Sequence, residues 1–296
     1  MSEAARPRPT LNLIGAGRVG QTLARLWHAQ QVFQIQDVLT TSLASAQAAC
    51  AFVGAGQAAE RLDAMRPAAV WMLAVQDARI AEVAQQLAHS APGSTRPPGT
   101  PAPVVFHCSG AQSSALLQEL EQQGWQVASA HCILSFASAA TAVEQFGGTP
   151  CALEGAPPAR QMLHAAFHAI GGQCFELAAE HKLLYHAAAV FATNFLPVLE
   201  QLAEDAWREC GVPAHLMAGL RSTVMANAAA NVARLGPAAA LTGPGAREDH
   251  AAIARQSAQV RRWNPAAADA YDALSVLALR MAKAKRETTA TPPSAR

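Results

Sequence analysis

The chain has little charge, few aromatic side chains and no excess of either sign of charge. Of its 296 residues, 15% are charged and 5% are aromatic, and the formal net charge is +1. This balance lacks the basic surface of a nucleic-acid-binding protein and the polybasic patch that binds an anionic membrane, so we expect neither as a partner. Apolar residues make up 51% of the chain, which excludes a disordered protein and predicts one large or two medium globular domains.

Cysteine pairs, a secretory signal and an unbroken apolar run are also missing. The six cysteines stand at long spacings without a C-x-x-C pair, and no apolar segment follows Arg6 and Arg8. These features predict buried, reduced thiols and a cytoplasmic protein. The longest apolar stretch, residues 183–199, is interrupted by polar residues and Pro197, which favours a buried helix of a soluble protein over a membrane span.

The first part of the chain alternates short apolar runs with segments of helical periodicity. This pattern is typical of βαβ units and predicts an α/β fold with a doubly wound parallel sheet. The predicted strands cover residues 11–14, 35–39, 69–75, 104–107, 127–130, 151–153 and 174–177. The predicted helices between them cover residues 18–29, 43–50, 78–89, 114–123 and 159–170.

From residue 179 onward only helical periodicity remains, which predicts a second, all-α domain. We therefore expect a sheet domain over residues 11–178 and a helical domain over residues 179–286. The ends, residues 1–10 and 287–296, are expected to be disordered tails. The Pro- and Gly-rich residues 90–103 predict an exposed loop.

A glycine-rich turn follows the first predicted strand directly and leads into a predicted helix. Its spacing is G-x-G-x-x-G: Gly15 permits a tight turn, Gly17 lets the backbone approach a pyrophosphate, and Gly20 allows close packing of helix on strand. In this strand-turn-helix context the motif predicts a nicotinamide dinucleotide site. Its predicted members are Gly15, Ala16, Gly17, Arg18, Val19 and Gly20.

The end of the second predicted strand indicates which dinucleotide is bound. NAD enzymes usually present an Asp or Glu there to the ribose 2′-hydroxyl. Asp37 lies too early for this role, whereas Thr40, Thr41 and Ser42 offer neutral hydroxyls that tolerate a 2′-phosphate. We therefore predict NADP(H) in preference to NAD(H), with Arg18 adding positive charge.

Polar residues also follow three further predicted strands, at the edge where open parallel sheets bind their ligands. Ala74, Val75 and Gln76 on one strand end, and Ser109 and Gly110 on another, are predicted cofactor contacts, an ordinary turn being the alternative for the second pair. Asp77 is interpreted as the N-cap of the next helix. His131 is a candidate proton donor, with a structural histidine as the alternative.

Five segments together resemble a known family. They are residues 15–20, the run His107-Cys108-Ser109-Gly110-Ala111, the stretch from His131 to Phe136, and residues 180–189 and 241–249. From about Leu11 to Leu279 the chain resembles the Rossmann-like oxidoreductases that carry a C-terminal helical domain of unknown function. That family is similar in architecture to pyrroline-5-carboxylate reductase, to the 6-phosphogluconate and 3-hydroxyisobutyrate dehydrogenases and to the deazaflavin-linked NADP reductases.

The resemblance implies a Rossmann-like fold, an NADP-linked activity and a homodimer formed through alanine-rich helices. The chain departs from the family's pattern in two places. Cys132-Ile133-Leu134 replaces the usual His-Pro-Leu, and Glu248 stands where glycine usually follows arginine.

The long helix predicted over residues 179–210 brings Lys182 and His186 to one face, with Asn194 near its edge. The resemblance implies that a Lys and an Asn on this helix contact the substrate, and Lys182 and Asn194 match by type. The alternatives are an exposed lysine and a core histidine. Three further candidate substrate contacts, which could equally be helix-capping or packing residues, are Asn231, Thr242 and Arg247.

Two functions of different class fit these observations. The first is an NADP(H)-dependent reductase or dehydrogenase acting on a small, anionic carbonyl, imine or hydroxy compound, with Lys182, His131, Asn194 and His186 as catalytic residues. The second is a non-catalytic dinucleotide-binding sensor or scaffold. We expect no metal site, because no zinc-type pair of histidines has an acidic partner.

Overall fold

A computed structural model of the chain describes residues 7–90 and 101–290. Its strands are β1 (Thr10–Ile14), β2 (Gln34–Leu39), β3 (Gln57–Ala59), β4 (Val70–Leu73), β5 (Val104–His107), β6 (Gln126–Cys132), β7 (Pro150–Gly155) and β8 (Gln173–Glu176). Its helices are α1 (Arg18–Ala29), α2 (Leu43–Val53), α3 (Ile80–Ser90), α4 (Gln118–Gln122), α5 (Ala139–Gln145), α6 (Pro157–Ala169), α7 (Lys182–Ala189), α8 (Phe195–Glu209), α9 (Met217–Leu235), α10 (Pro237–Ala240), α11 (Gly243–Ala246), α12 (His250–Trp263) and α13 (Pro265–Ala290).

The predicted fold class is confirmed. Within the described ranges the strands form one eight-stranded sheet in the order β3-β2-β1-β4-β5-β6-β7-β8, followed by helices alone. The sheet is not wholly parallel as predicted, because β7 runs antiparallel to β6. Helix α5 packs against α1, and the chain enters β7 beside the end of β6, where the Ile133 amide donates to the Pro150 carbonyl at 2.9 Å.

The core fills both faces of the sheet. Alternate residues of the central strands separate cleanly: Val70 and Met72 of β4 join one apolar cluster, while Trp71 and Leu73 join the other. The first cluster includes Trp27 of α1, and the second includes residues of α3. This two-sided burial is what the apolar, non-alternating strands predict for a doubly wound sheet.

The structure corrects several predicted boundaries. The edge strand β3 and the helix α5 were not predicted, since neither short segment has a distinctive apolar period. The tails were predicted too long, because β1 begins at residue 10 and α13 continues through residue 290. The other tail residues, 1–6 and 291–296, and residues 91–100 of the predicted loop lie outside the described residues, while residues 101–103 have no regular structure.

The chain divides into two compact units, one ending at Asn194 and the other beginning at Phe195. The first unit contains the sheet, its flanking helices and α7. The second contains α8 to α13, and in it Glu204 of α8 receives hydrogen bonds from Arg208 and Arg221, each at 2.6 Å. The predicted boundary after residue 178 stays a prediction.

The helical stretch Ala179–Glu209 is continuous but not uniformly α-helical. Residues Val190–Asn194 form a π-helical turn just before Pro197, which agrees with the disturbance expected where proline cannot donate to Thr193. The 31-residue stretch, with a mean hydropathy of 1.3, is long and apolar enough to cross a membrane by length and composition alone. Its predicted burial is wrong, because Leu183 and Leu184 are 71% and 76% exposed in the described chain.

Three cysteines form a rung across adjacent strands. Cys132 on β6 is the register partner of Cys151 on β7, and Cys151 is the partner of Cys174 on β8. The Cys151 thiol contacts the Cys132 sulfur at 3.4 Å. All six cysteines are free, but the prediction that they are buried holds only for Cys132 and Cys151. Cys50, Cys108 and Cys174 are half-buried, and Cys210 is exposed.

Candidate functional site

The glycine turn after β1 has the geometry that its spacing predicts. Gly15 has a φ of +81°, and a Cβ there would lie 2.6 Å from the Ala74 carbonyl oxygen, so this position accepts only glycine. A Cβ at Gly20 would lie 2.9 Å from the Gly15 carbonyl oxygen. A Cβ at Gly17 would meet nothing within 4 Å. The turn is thus closed at its two outer glycines and open at the middle one.

The N-terminus of α1 is available to an anion. Its N-cap residue is Gly17, no side chain caps it, and its first turn carries no acidic residue. The first amides of a helix lack partners within the helix, and they carry the positive end of its dipole. Gly17 and these amides therefore fit a pyrophosphate group, which is the part of a dinucleotide that such turns hold.

A cavity of about 760 Å³ opens beside this turn. Several predicted cofactor residues line it, together with residues on α2, after β3, and on or just before α3 that were not predicted. The lining includes Gly15, Ala16, Gly17, Thr40, Thr41, Ala74, Val75 and Gln76 from the prediction, and Ser45, Glu60, Arg61, Leu62, Arg79, Val83 and Gln86 besides. Of the other predicted members, Val19 and Gly20 pack inward, and Arg18 is exposed and donates to the Phe136 carbonyl oxygen at 3.3 Å.

Hydroxyl groups gather at the end of β2. Ser42 is the N-cap of α2, where its oxygen accepts a hydrogen bond from the Ser45 amide at 3.2 Å. Thr40 donates to the Ser42 carbonyl oxygen and contacts the Ser45 hydroxyl. Asp37 faces elsewhere, since its carboxylate accepts a hydrogen bond from the Arg66 amide at 2.7 Å. Ser42 therefore caps a helix, while Thr40, Thr41 and Ser45 form the hydroxyl-bearing wall of the cavity.

The turn after β5 is fixed by a carboxylate. The Ser109 hydroxyl donates to Asp77 at 2.6 Å and accepts from the amides of Ala111 and Gln112. The interpretation of Asp77 as an N-cap is wrong, because the preceding residue is the cap of that turn and Asp77 reaches across to the next strand end. Its carboxylate thus links the turns after β4 and β5.

Lys182 is buried, with 1% of its surface exposed, at the start of α7. Its ammonium donates to the Ser129 hydroxyl at 2.7 Å and to the Ser109 carbonyl oxygen at 3.2 Å. Burial lowers the pKa of Lys182, while Glu154 and Asp77 act to raise it. Lys182 therefore joins β6 to the turn after β5.

His131, Tyr185 and His186 form a cluster over Gly110. His131 Nδ1 lies 2.9 Å from the Tyr185 hydroxyl, and the rings of His131 and His186 meet edge to face at 5.7 Å between centroids. Burial lowers the pKa of His131 to about 4, with smaller contributions from His186 and Lys182. Burial also raises the pKa of Tyr185. At neutral pH His131 is therefore a neutral imidazole beside the protonated phenol of Tyr185.

Sequence reasoning missed Tyr185 and Ser129, although a signal for both exists. Ser129 and His131 stand two residues apart on β6 and share a face, and Lys182 and Tyr185 stand three apart on α7 and share a face. Each strand residue meets one helix residue. Matching these two periods would have selected Tyr185 along with Lys182.

The remaining predicted site residues lie elsewhere in the chain. Asn194 ends the first unit, is exposed, and accepts a hydrogen bond from Thr193 at 2.8 Å. Asn231, Thr242 and Arg247 belong to the second unit and are exposed. Their roles as substrate contacts stay predictions.

Glu248 settles the geometry of the departure noted after Arg247. Its φ of +53° lies in the left-handed region that glycine adopts most readily, and its carboxylate pairs with Arg286. The loop therefore keeps a conformation suited to the family's glycine although glutamate occupies the position. Among the residues that the structure describes, no group of three His, Cys, Asp or Glu side chains could hold a metal ion. The exposed rings of His164 and His168 on α6 stack on each other, with their centroids 6.4 Å apart.

Two family models match the chain, one on each part. A Rossmann-like domain matches residues 1–132, and a domain of unknown function, DUF2520, matches residues 149–277. Together the two models match most of the chain, the first over its N-terminal part and the second over its C-terminal part. A search of the curated proteins finds no significant match.

Solved structures share this architecture over nearly the whole chain. A protein of Thermotoga maritima is 25% identical with a TM-score of 0.72, and the match covers 94% of this chain and all of that one. A protein of Bacteroides fragilis named as an NADP oxidoreductase is 22% identical, with a TM-score of 0.73 and coverage of 92% and 98%. An imine reductase of Myxococcus stipitatus, solved with NADP+, is 19% identical, with a TM-score of 0.61 and coverage of 92% and 94%.

Proposed function

We propose that the protein is an NADP(H)-dependent oxidoreductase that acts on a small, anionic carbonyl, imine or hydroxy compound. The observation that carries this proposal is the open glycine turn at the uncapped N-terminus of α1, in the same sheet edge as the polar cluster of His131 and Tyr185. The order β1-β4-β5-β6 of parallel strands brings the ends of these strands to one edge. Ligands of open α/β sheets bind at that edge.

The similar structures support this assignment by their names. The Bacteroides protein is named as an NADP oxidoreductase, and the Myxococcus protein is a reductase that binds NADP+. Nicotinamide cofactors supply or take up a hydride when bound. The residues that would hold the pyrophosphate here are Gly15, Gly17 and the first amides of α1.

The cavity wall supports NADP(H) over NAD(H). No carboxylate follows β2 at the usual position for a ribose 2′-hydroxyl, and Thr40, Thr41 and Ser45 occupy the wall instead. Arg61 and Arg79 also line the cavity, and although each is paired with a carboxylate, Asp63 or Glu82, they are cationic groups within reach of a ligand there. The carboxylate of Glu60 also lines the cavity, and its negative charge reduces the preference for the 2′-phosphate of NADP(H). We expect NADPH to bind more tightly than NADH.

An enzyme fits the site better than a sensor. A sensor needs only a binding cleft, whereas the imidazoles of His131 and His186 and the phenol of Tyr185 lie together around Gly110. Groups of this kind serve as general acids and bases. The exposed guanidinium of Arg18, at the start of α1, donates to the Phe136 carbonyl in the loop after β6 and brings positive charge there, which suits an anionic substrate.

Calorimetry with NADPH and NADH tests the cofactor, and a panel of small oxo acids and cyclic imino acids followed by NADPH absorbance tests the reaction. We expect saturable NADPH binding and consumption with at least one panel member. Absence of binding by either nucleotide would remove the proposal. Tight binding without turnover of any panel member would favour the sensor.

We also propose that the protein is a homodimer, in which a second copy of the chain covers the exposed Leu183 and Leu184 of α7. The hydrogen bonds of Lys182 hold the start of this helix against the sheet, which argues against the helix crossing a membrane and favours a protein partner for its exposed face. Light scattering should give twice the chain mass of 30.9 kDa, and Leu184→Glu should give the single-chain mass. A monomeric wild type would refute the dimer.

The free cysteines support a location in the cytoplasm.

A further inference from the structure

The edge strand β3 brings a charged segment beside the end of β2. The two strands run parallel, and their last register partners are Leu39 of β2 and Ala59 of β3. Two residues beyond these partners stand Thr41 after β2 and Arg61 after β3, and both line the cavity beside the glycine turn. Arg61 therefore belongs to the same part of the cavity wall as the hydroxyl groups after β2.

The end of the second strand is where sheets of this type recognise the 2′ position of the adenosine ribose. A carboxylate there accepts a hydrogen bond from a 2′-hydroxyl, whereas an arginine accommodates a 2′-phosphate. In this chain Thr40, Thr41 and Ser42 follow β2, and none of them carries a charge. The cation that the register brings to this place, Arg61, comes from the neighbouring strand.

The Arg61 guanidinium already binds an anionic group with two parallel hydrogen bonds. Its Nε donates to Asp63 Oδ1 at 3.1 Å, and one of its terminal nitrogens donates to Asp63 Oδ2. Phosphate oxygens accept hydrogen bonds from arginine in the same bidentate manner. Asp63 therefore occupies the edge of the guanidinium that a phosphate group would bind.

This ion pair can be exchanged for a ligand at small cost. The Arg61 side chain is 75% exposed, and that of Asp63 is 51% exposed. Ion pairs between exposed side chains contribute little to stability, because water screens both charges. A phosphate carries more negative charge than a carboxylate and offers three acceptor oxygens, so it competes favourably for the guanidinium.

We infer that Arg61 binds the 2′-phosphate of NADP(H) and sets the preference over NAD(H), with Asp63 as an internal carboxylate that competes for the same guanidinium. The inference rests on the proposed function and deepens it, since it assigns the cofactor preference to a residue after β3 rather than after β2. Glu60 is the rival candidate. It stands beside Thr40 in the register, lines the same cavity, and would accept a hydrogen bond from the 2′-hydroxyl of NAD(H).

Arg79 provides a matched control within the same cavity. It lines the cavity as Arg61 does, its side chain is 53% exposed, and its Nε donates to the Glu82 carboxylate at 2.6 Å. Arg79 follows β4, however, and β4 lies on the other side of β1 from β2. Loss of the Arg79 charge should therefore affect NADPH and NADH alike.

The experiment measures the ratio of the Kd for NADH to the Kd for NADPH by calorimetry on the full chain. We expect the wild type to favour NADPH and Arg61→Gln to reduce that ratio about tenfold, because hydrogen bonds between two charged groups are lost. Asp63→Asn should increase the ratio, since it removes the competing charge. Arg79→Gln should leave the ratio unchanged. Urea unfolding should show the three variants to be as stable as the wild type, because both ion pairs are exposed.

Four results would overturn the inference. They are an unchanged ratio in Arg61→Gln, an equal reduction in Arg79→Gln, a reduced ratio in Asp63→Asn, and a wild-type preference for NADH that Glu60→Gln abolishes. The last of these results would assign the ribose to Glu60.

Two smaller nucleotides separate a failure of this inference from a failure of the proposed function. Adenosine 2′,5′-bisphosphate carries the 2′-phosphate, and adenosine 5′-monophosphate lacks it. An Arg61-dependent preference for the bisphosphate, in a protein that binds neither NADPH nor NADH, would support the phosphate contact and remove the oxidoreductase function. Tight binding of both dinucleotides without a preference would do the reverse.

Discussion

Replacing Gly17 with alanine should separate the stability of the fold from the binding of the cofactor. The backbone at Gly17 has a φ of −71° and a ψ of −167°, which any residue can adopt, and an added Cβ meets nothing within 4 Å. The free energy of unfolding should therefore change by no more than about 0.5 kcal/mol. The same change at Gly15 would be strained, because that residue has a positive φ and lies against Ala74.

The new methyl group would nevertheless stand in the cavity, where the turn approaches the pyrophosphate. Displacing the phosphate from one backbone amide removes a hydrogen bond to a charged group, worth about 1.5–3 kcal/mol. We therefore expect the Kd for NADPH to rise by roughly 10- to 150-fold in Gly17→Ala.

Calorimetry gives the Kd, and urea unfolding gives the stability. Gly147→Ala is the matched control, because its Cβ also meets nothing within 4 Å and its position between α5 and β7 is not part of the cavity wall. That control should leave both measurements unchanged. An unaltered Kd in Gly17→Ala, or a loss of more than about 1 kcal/mol in stability, would refute the reasoning about the turn.

Three further predictions concern stability. Burial lowers the pKa of His131 to about 4, whereas the same imidazole in the unfolded chain takes up a proton near pH 6.5. The contribution of His131 to the free energy of unfolding is therefore fully present above pH 6.5 and is lost as the pH falls towards 4, by roughly 3 kcal/mol. His131→Gln should lose less stability than the wild type in urea melts between these pH values, and equal losses would contradict this. Lys182→Met should lower the free energy of unfolding in urea by about 1–3 kcal/mol, because the Ser129 hydroxyl and the Ser109 carbonyl lose their donor. The control Lys283→Met, whose side chain is 71% exposed, should leave that free energy unchanged. Equal effects of the two changes would argue against the buried hydrogen bonds. Glu248→Gly should be more stable than Glu248→Ala by about 1 kcal/mol in urea melts. Both variants lose the ion pair with Arg286, but only alanine keeps a Cβ on a residue with a positive φ. Equal stability of the two variants would mean that the backbone at this position is unstrained.

The parts of the fold that depend on local sequence could be predicted. The turn from Gly15 to Gly20 carries its own conformational requirements, and α1 was predicted with its observed bounds because its start and its apolar period are both local. The three-residue strand β3 could not, since it pairs only with β2 and has no pattern of its own. The antiparallel entry into β7 depends on how α5 packs, which periodicity does not reveal.

The candidate site was predictable only in part, for the same reason. His131 stood out as a polar residue at a strand end, and Lys182 through its place on one helix face together with the family resemblance. Tyr185 did not, because its role comes from a contact across 54 residues of sequence, and Asp77 was misread because its partner Ser109 lies 32 residues away. Pairings at such distances follow from the order of strands in the sheet.

The rung of cysteines gives the sheet an internal reporter of its own opening. Cys174 lies on the edge strand, Cys151 on the next strand inward and Cys132 on the one after that. If strands detach in turn from that edge, the thiols become accessible to an alkylating reagent in the same sequence. Mass spectrometry of the peptides alkylated during brief exposure to the reagent would then record how many strands have detached, without any engineered cysteine.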